Sequence, residues 1–235
     1  MIKGDLRKKQ ILETAESLFG ERGYEATGVQ DILDALKMSK GSFYHHYESK
    51  EQVLQKICEN RARAAAERIR AEKFKDGLQR MNSLLTGMIP FQGEGLAFLK
   101  IILPVFVLPE GKSVRGAYQE ALKKSWLPMT TEALETMIQE GNAYTLYPEK
   151  TAEMALDLLN RMWAEISEEI ILCEKVSRAA IAPARLLSLV EPYRPALENL
   201  FSAPYGSLEL IGLTSLTKMV SEIHNWWMVD IPGEA

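Results

Sequence analysis

The run Ser39-Lys40-Gly41-Ser42-Phe43-Tyr44-His45-His46-Tyr47-Glu48-Ser49-Lys50-Glu51 decides how this chain is built. It holds two helix starts and leaves room between them for only a very short helix. The Ser39 hydroxyl is placed to accept from the free backbone N–H groups of the helix it opens. Ser49 with Gln52 forms a capping box, which marks the next helix. Between the two starts lie Lys40, Ser42, Tyr44, His45, His46 and Lys50, all able to meet a phosphate or a base edge. Phe43 is expected to turn inward and Tyr44 outward. So short a helix forms weakly alone and needs neighbours to hold it. Polar, buttressed helices of this kind enter DNA grooves.

The upstream residues supply the buttresses. Ile11, Ala15, Leu18 and Phe19 recur at helical spacing and predict a first amphipathic helix. Gly23 is its expected stop. Thr27 with Gln30 reads as a second capping box, and Val29, Ile32, Leu33 and Leu36 line one face of the helix that follows. Lys37-Met38 leaves space only for a tight turn. Two short helices joined in this way make a helix-turn-helix, with the later one as reader.

Ile11 to Leu54 resembles the N-terminal domain of the TetR family of bacterial repressors. The matching residues are Ala15, Leu18-Phe19, Gly23-Tyr24, Thr27, Ile32, the run Ser39 to Tyr47, and Ser49-Lys50-Glu51. Order, spacing and residue type agree over about a fifth of the chain. Two positions depart from the family pattern. Lys37 stands where the family usually has Gly, and a left-handed backbone there costs on the order of 1 kcal/mol. Gly28 stands where the family usually has Ser or Thr, which removes one hydroxyl able to reach a phosphate.

The net charge of −4 argues against a protein that coats nucleic acid by bulk attraction, but not against a local footprint. Through Lys50 acids and bases are equal in number. The bases gather at the N-terminal arm and the reading helix, and the acids mostly on the first two helices. No apolar run is long enough to span a bilayer, and the first residues lack a signal-peptide pattern, so the cytoplasm is the expected compartment. Cys58 and Cys173 are too few for a disulfide framework or zinc site and are expected to be buried thiols.

The rest of the chain reads as helical throughout, giving an all-α fold: a DNA-binding domain over residues 1–48 and a larger helical domain over 49–235. A long helix is predicted from Ser49 to near Phe74, and Asp76 caps the next. Pro90, Pro104, Pro109, Pro128 and Pro148 are expected to divide the middle into short helices. After Pro148 a stripe of Met154, Ala155, Leu158, Leu159, Met162, Trp163, Ile166, Ile170 and Ile171 is wider than one core face requires. A second apolar face follows over Pro192 to Phe201, with Ala196, Leu197 and Leu200. The resemblance implies that two such helices per subunit build a four-helix dimer bundle. A last helix, about Ser207 to Val229, fits a domain cap, an interface extension or, weakly, a membrane-surface helix.

These expectations converge on a transcription regulator. The nucleic-acid contacts are assigned to Thr27, Ser39, Lys40, Gly41, Ser42, Tyr44, His45, His46 and Lys50. The adjacent His45 and His46 diverge on a helix and do not suit one metal ion. His224 reads as a packed or surface residue. The resemblance implies a small-molecule cavity in the middle helices, with Phe91, Phe98, Trp126 and Met162 as wall and Tyr118, Asn160 and Glu165 as polar groups. It implies a cytoplasmic homodimer that represses from a palindromic double-stranded operator and is released by an effector, with no cofactor and no membrane. No phosphate loop, nucleophile elbow, zinc helix or triad supports an enzyme. The alternative is an all-helical interaction protein that keeps the helix-turn-helix only as structure.

Overall fold

The computed structural model describes residues 3–88, 94–106, 108–109, 111–176 and 179–229. Among them the regular structure is helical, without strands. The helices are α1 (Lys3–Arg22), α2 (Val29–Leu36), α3 (Lys40–Tyr44), α4 (Lys50–Arg70), α5 (Gly77–Gly87), α6 (Glu94–Val105), α7 (Gly111–Gln139), α8 (Pro148–Ile171), α9 (Pro183–Val190), α10 (Tyr193–Phe201) and α11 (Leu213–Val229). A π-helical turn, Leu172–Val176, extends α8. The chain forms two compact units. One comprises the residues up to Ala62 with Ala97–Ala121; the other comprises Arg63–Leu96 and the residues from Leu122 on.

The first unit is held by the periodic apolar residues of its helices. Ile11, Ala15 and Phe19 of α1, Ile32 and Leu33 of α2, Phe43 of α3, and Val53, Leu54 and Ile57 of α4 are all buried. Burying each large side chain contributes roughly 1.5–3 kcal/mol, which is what keeps the five-residue α3 folded. Gly23 ends α1 with φ +84°, and its N–H donates to the Phe19 carbonyl. Arg61 of α4 pairs with Glu16 of α1 at 2.6 Å.

Lys37 adopts φ 48°, ψ 46° at the end of α2, the left-handed conformation that glycine takes more easily. Its side chain is exposed, so the backbone alone decides the cost. Lys37→Gly is therefore expected to stabilise the protein by about 1 kcal/mol, read from urea unfolding.

The cap of α2 differs from the expected Thr27–Gln30 box by one residue. Gly28 is the N-cap, its N–H donates to Asp31 Oδ2 at 2.7 Å, and Gln30 reaches Asp34 instead. The other two caps stand as expected. Ser39 Oγ accepts from Ser42 N–H at 3.3 Å and Ser49 Oγ from Gln52 N–H at 3.1 Å.

The second unit is built on α8 and on α7 from Leu122 onward. Trp126 is wholly buried and its indole N–H donates to the Leu84 carbonyl at 3.2 Å. α8 packs on α10 and α9, and α11 on α9 and the π-helical turn. Asp76 caps α5 as expected, accepting from Gln79 N–H at 2.8 Å, and Pro148 opens α8.

The prolines divide the middle less than expected. Pro104 lies inside α6 and Pro128 inside the 29-residue α7. An interior proline costs about 3 kcal/mol. Around Pro128 the side chains of Leu122, Trp126, Met129 and Thr130 are buried, and this burial outweighs the lost hydrogen bond. Pro90 lies outside the described residues.

Three other expectations change. α4 ends at Arg70, short of Phe74. α11 begins at Leu213, with Leu208 and Ile211 buried in the preceding segment. Leu197 and Phe201, expected at an intersubunit face, are wholly buried within the single chain, as are Leu159, Met162 and Ile166. His224 is bonded through Nδ1 to Glu174 Oε2 at 2.8 Å. Cys58 is buried and Cys173 half-buried, and burial pushes both thiols up, so neither is activated.

Candidate nucleic-acid interface

α3 is anchored on one side and open on the other. Phe43 is fully buried, whereas the Tyr44 ring is 45 % exposed and meets Phe43 edge-on at 5.3 Å between ring centres. Ser39, Lys40, Gly41 and His45 are exposed, and Ser42 and His46 half-buried. The structure thus brings Ser39 to His46 together as one polar surface on a rigid backing. A Cβ built on Gly41 meets no atom within 4 Å, so packing inside the protein does not require glycine there. Glycine inside a helix costs up to about 1 kcal/mol, a cost that fits a backbone approached closely from outside.

Thr27 and Lys50 stand apart from that surface. Thr27 is wholly buried, and its hydroxyl donates to the carbonyls of Gly23 at 2.8 Å and Leu18 at 3.3 Å. Lys50 Nζ donates to the carbonyls of Tyr24 at 2.8 Å and Thr27 at 2.9 Å and sits 4.1 Å from the centre of the Tyr24 ring. Charge-assisted bonds of this kind contribute on the order of 1.5–3 kcal/mol. Lys50→Ala is thus expected to lower stability by about 2 kcal/mol and to leave the salt dependence of DNA binding unchanged. A slope smaller by about one ion would return Lys50 to the phosphate contacts.

Arg7 and Lys8 belong to the basic N-terminal arm. The structure sets them on α1, and both act on His46, two residues past the end of α3. Burial, and then the charges of His45, Lys8 and Arg7, hold the His46 imidazole below the usual histidine value. Because the folded value is the lower one, protonation opposes folding. Stability is intact above the unfolded value of about 6.5 and falls as the pH drops through it toward the folded value. His46→Gln is expected to remove that share of the acid loss, measured by urea unfolding at about pH 7.5 and about pH 5.5.

The expected ligand-wall residues are distributed over both units. Phe98 and Tyr118 belong to the first, edge to face with ring centres 5.5 Å apart, and burial pushes the Tyr118 phenol up. Trp126 and Met162 are fully buried in the second. Phe91 lies outside the described residues. No helix among the described residues is long and apolar enough to cross a membrane.

Residues 11–57 match the model of bacterial regulatory proteins of the TetR family. Among curated proteins, the transcriptional repressor KstR2 of Rhodococcus jostii is 47% identical over 51 residues, 22% of this chain and 25% of the relative. IcaR of Staphylococcus epidermidis, a negative transcriptional regulator of a biofilm operon, is 40% identical over 53 residues, 23% of this chain and 29% of the relative. The matched segment thus spans about a quarter of the length of these relatives. Among solved structures, a TetR-family transcriptional regulator from Pectobacterium atrosepticum superposes with a TM-score of 0.63 at 21% identity, over 86% of this chain and 97% of that one. The Salmonella enterica protein GusR gives 0.51 at 20% identity, over 83% and 95%. The helix-turn-helix segment matches in sequence, and the helical fold matches over most of the chain. Residues 11–57 are thus a segment of the type found in the TetR family of bacterial regulatory proteins, set in a chain whose helical fold is similar to that of a solved TetR-family regulator.

Proposed function

We propose that the chain is a ligand-responsive repressor that binds a palindromic operator as a homodimer in the cytoplasm. The observation that carries this reading is α3 with the two residues that follow it, anchored by Phe43 and offering Lys40, Gly41, Ser42, Tyr44, His45 and His46 on the open side. Tyr44 suits a thymine methyl or sugar, and Lys40, Ser42 and the two histidines suit phosphates or base acceptors. A phosphate beside His46 opposes the cations around it, so operator binding takes up a proton and tightens as the pH falls.

Pairing rests on α8 and α10, which pack together in the single chain and keep Met154 and Ala196 exposed and Leu158 and Leu200 half-exposed. Two-fold pairing sets two reading helices about one helical turn of DNA apart. An effector in the helical region acts by favouring the arrangement with the wrong separation. Retardation of the DNA upstream of the chain's own gene, with random DNA as competitor, tests the reading. Equal retardation of both, or none, would leave the helix-turn-helix a structural element only. Mass spectrometry of small molecules that copurify with the protein tests the effector.

A further inference from the structure

In the second unit, a cleft of about 340 Å³ opens where the end of α4, the α4–α5 connection, the start of α5 and one side of α7 meet. None of the residues assigned to a ligand from sequence lines it. Its volume is at the lower end of the range for small-molecule sites. Ile69 and Met129 are buried and Phe74 half-buried, giving an apolar floor. Arg70, Lys75 and Arg80 stand around it.

The charges are not balanced in use. Glu140 accepts the Gly77 N–H with both carboxylate oxygens, at 3.1 and 3.3 Å. Asp76 accepts from Gln79 N–H. Both acids are therefore turned to the start of α5. Gly77 has no room for a side chain there, since a Cβ would lie 2.7 Å from the Met137 nitrogen. The third acid, Glu72, is exposed. Arg80 is bonded to Glu132 at 2.7 Å. The Arg70 guanidinium and Lys75 ammonium make no hydrogen bond or ion pair among the described residues, although Arg70 acts on Glu132 from a distance.

We propose that this cleft binds a small organic anion: an apolar body on Ile69, Phe74 and Met129, with its carboxylate or phosphate held by Arg70 and Lys75. This deepens the reading of the chain as an effector-responsive regulator and rests on it for its consequence, because Arg70 closes the helix that begins next to the reading head. The binding itself is tested without DNA, so its failure and a failure of operator binding are told apart.

The experiment is calorimetric titration of the full chain with octanoate, with octanol and octylamine as neutral and cationic counterparts, and with inorganic phosphate as the head group alone. Octanoate is expected to bind at least about tenfold more tightly than any of the three. Arg70→Gln and Lys75→Gln change exposed side chains and leave the fold intact. Each is expected to weaken octanoate by about tenfold and to leave octanol unchanged. Octylamine binding as well as octanoate would overturn the assignment of charge. Octanoate affinity untouched by both substitutions would place the site elsewhere and overturn the proposal, as would no octanoate binding.

Discussion

Tyr44→Ala is expected to abolish operator binding while moving the melting temperature little. The ring faces solvent and gives up an edge contact with Phe43, worth about 1 kcal/mol at most. Phe43→Ala is expected to do the opposite. It removes the fully buried side chain that fastens α3 to the first unit, at a cost of about 3–5 kcal/mol. Circular dichroism melting and gel retardation on both variants check the pair. Were the phenotypes exchanged, the two faces of α3 would be assigned the wrong way round.

A single charge at Leu197 is expected to destroy the second unit. The site is fully buried, and the neighbouring Glu198 is itself buried with Oε1 accepting from Leu208 N–H. A second carboxylate there has no solvent and no partner, a cost of several kcal/mol. Leu197→Glu should aggregate or lose its cooperative melting transition. Pairing of subunits must be probed from the solvent side. Met154→Glu with Ala196→Glu changes exposed positions of α8 and α10. This double variant is expected to stay folded, to sediment as a monomer, and to bind operator about a hundredfold more weakly because each head then binds alone. A folded dimer with normal operator affinity would exclude α8 and α10 as the interface.

What the sequence shows of this molecule follows the range of the forces involved. The start and faces of α3, the Ser49 cap and the Gly23 stop depend on residues within a few positions of each other, and all are legible. The cap of α2 is less so, because Thr27 and Gly28 both suit an N-cap. Only the fold shows that the Thr27 hydroxyl is drawn to Gly23 and Leu18. The prolines mislead because their cost is local and the burial that overrides it is not. The roles of Lys50 and Arg61 join positions 26 and 45 residues apart and leave no pattern in the chain. The same holds for the cleft, whose lining runs from Ile69 to Glu140.

The clasp formed by Lys50 bears on what the reader can learn to recognise. It fastens the first turn of α4 to two carbonyls within the α1–α2 connection, while Arg61 fastens the same helix to α1. With these two rivets the head and the start of α4 move as one stiff body. On the function proposed above, a stiff body keeps its alphabet: a motion passed down α4 would relocate the head without re-spelling the bases it prefers. Selection of binding sites from random DNA is then expected to return the same half-site whether or not an effector is present, with only the permitted gap between half-sites changing. New operator preferences would have to arise by substitution on the open side of α3.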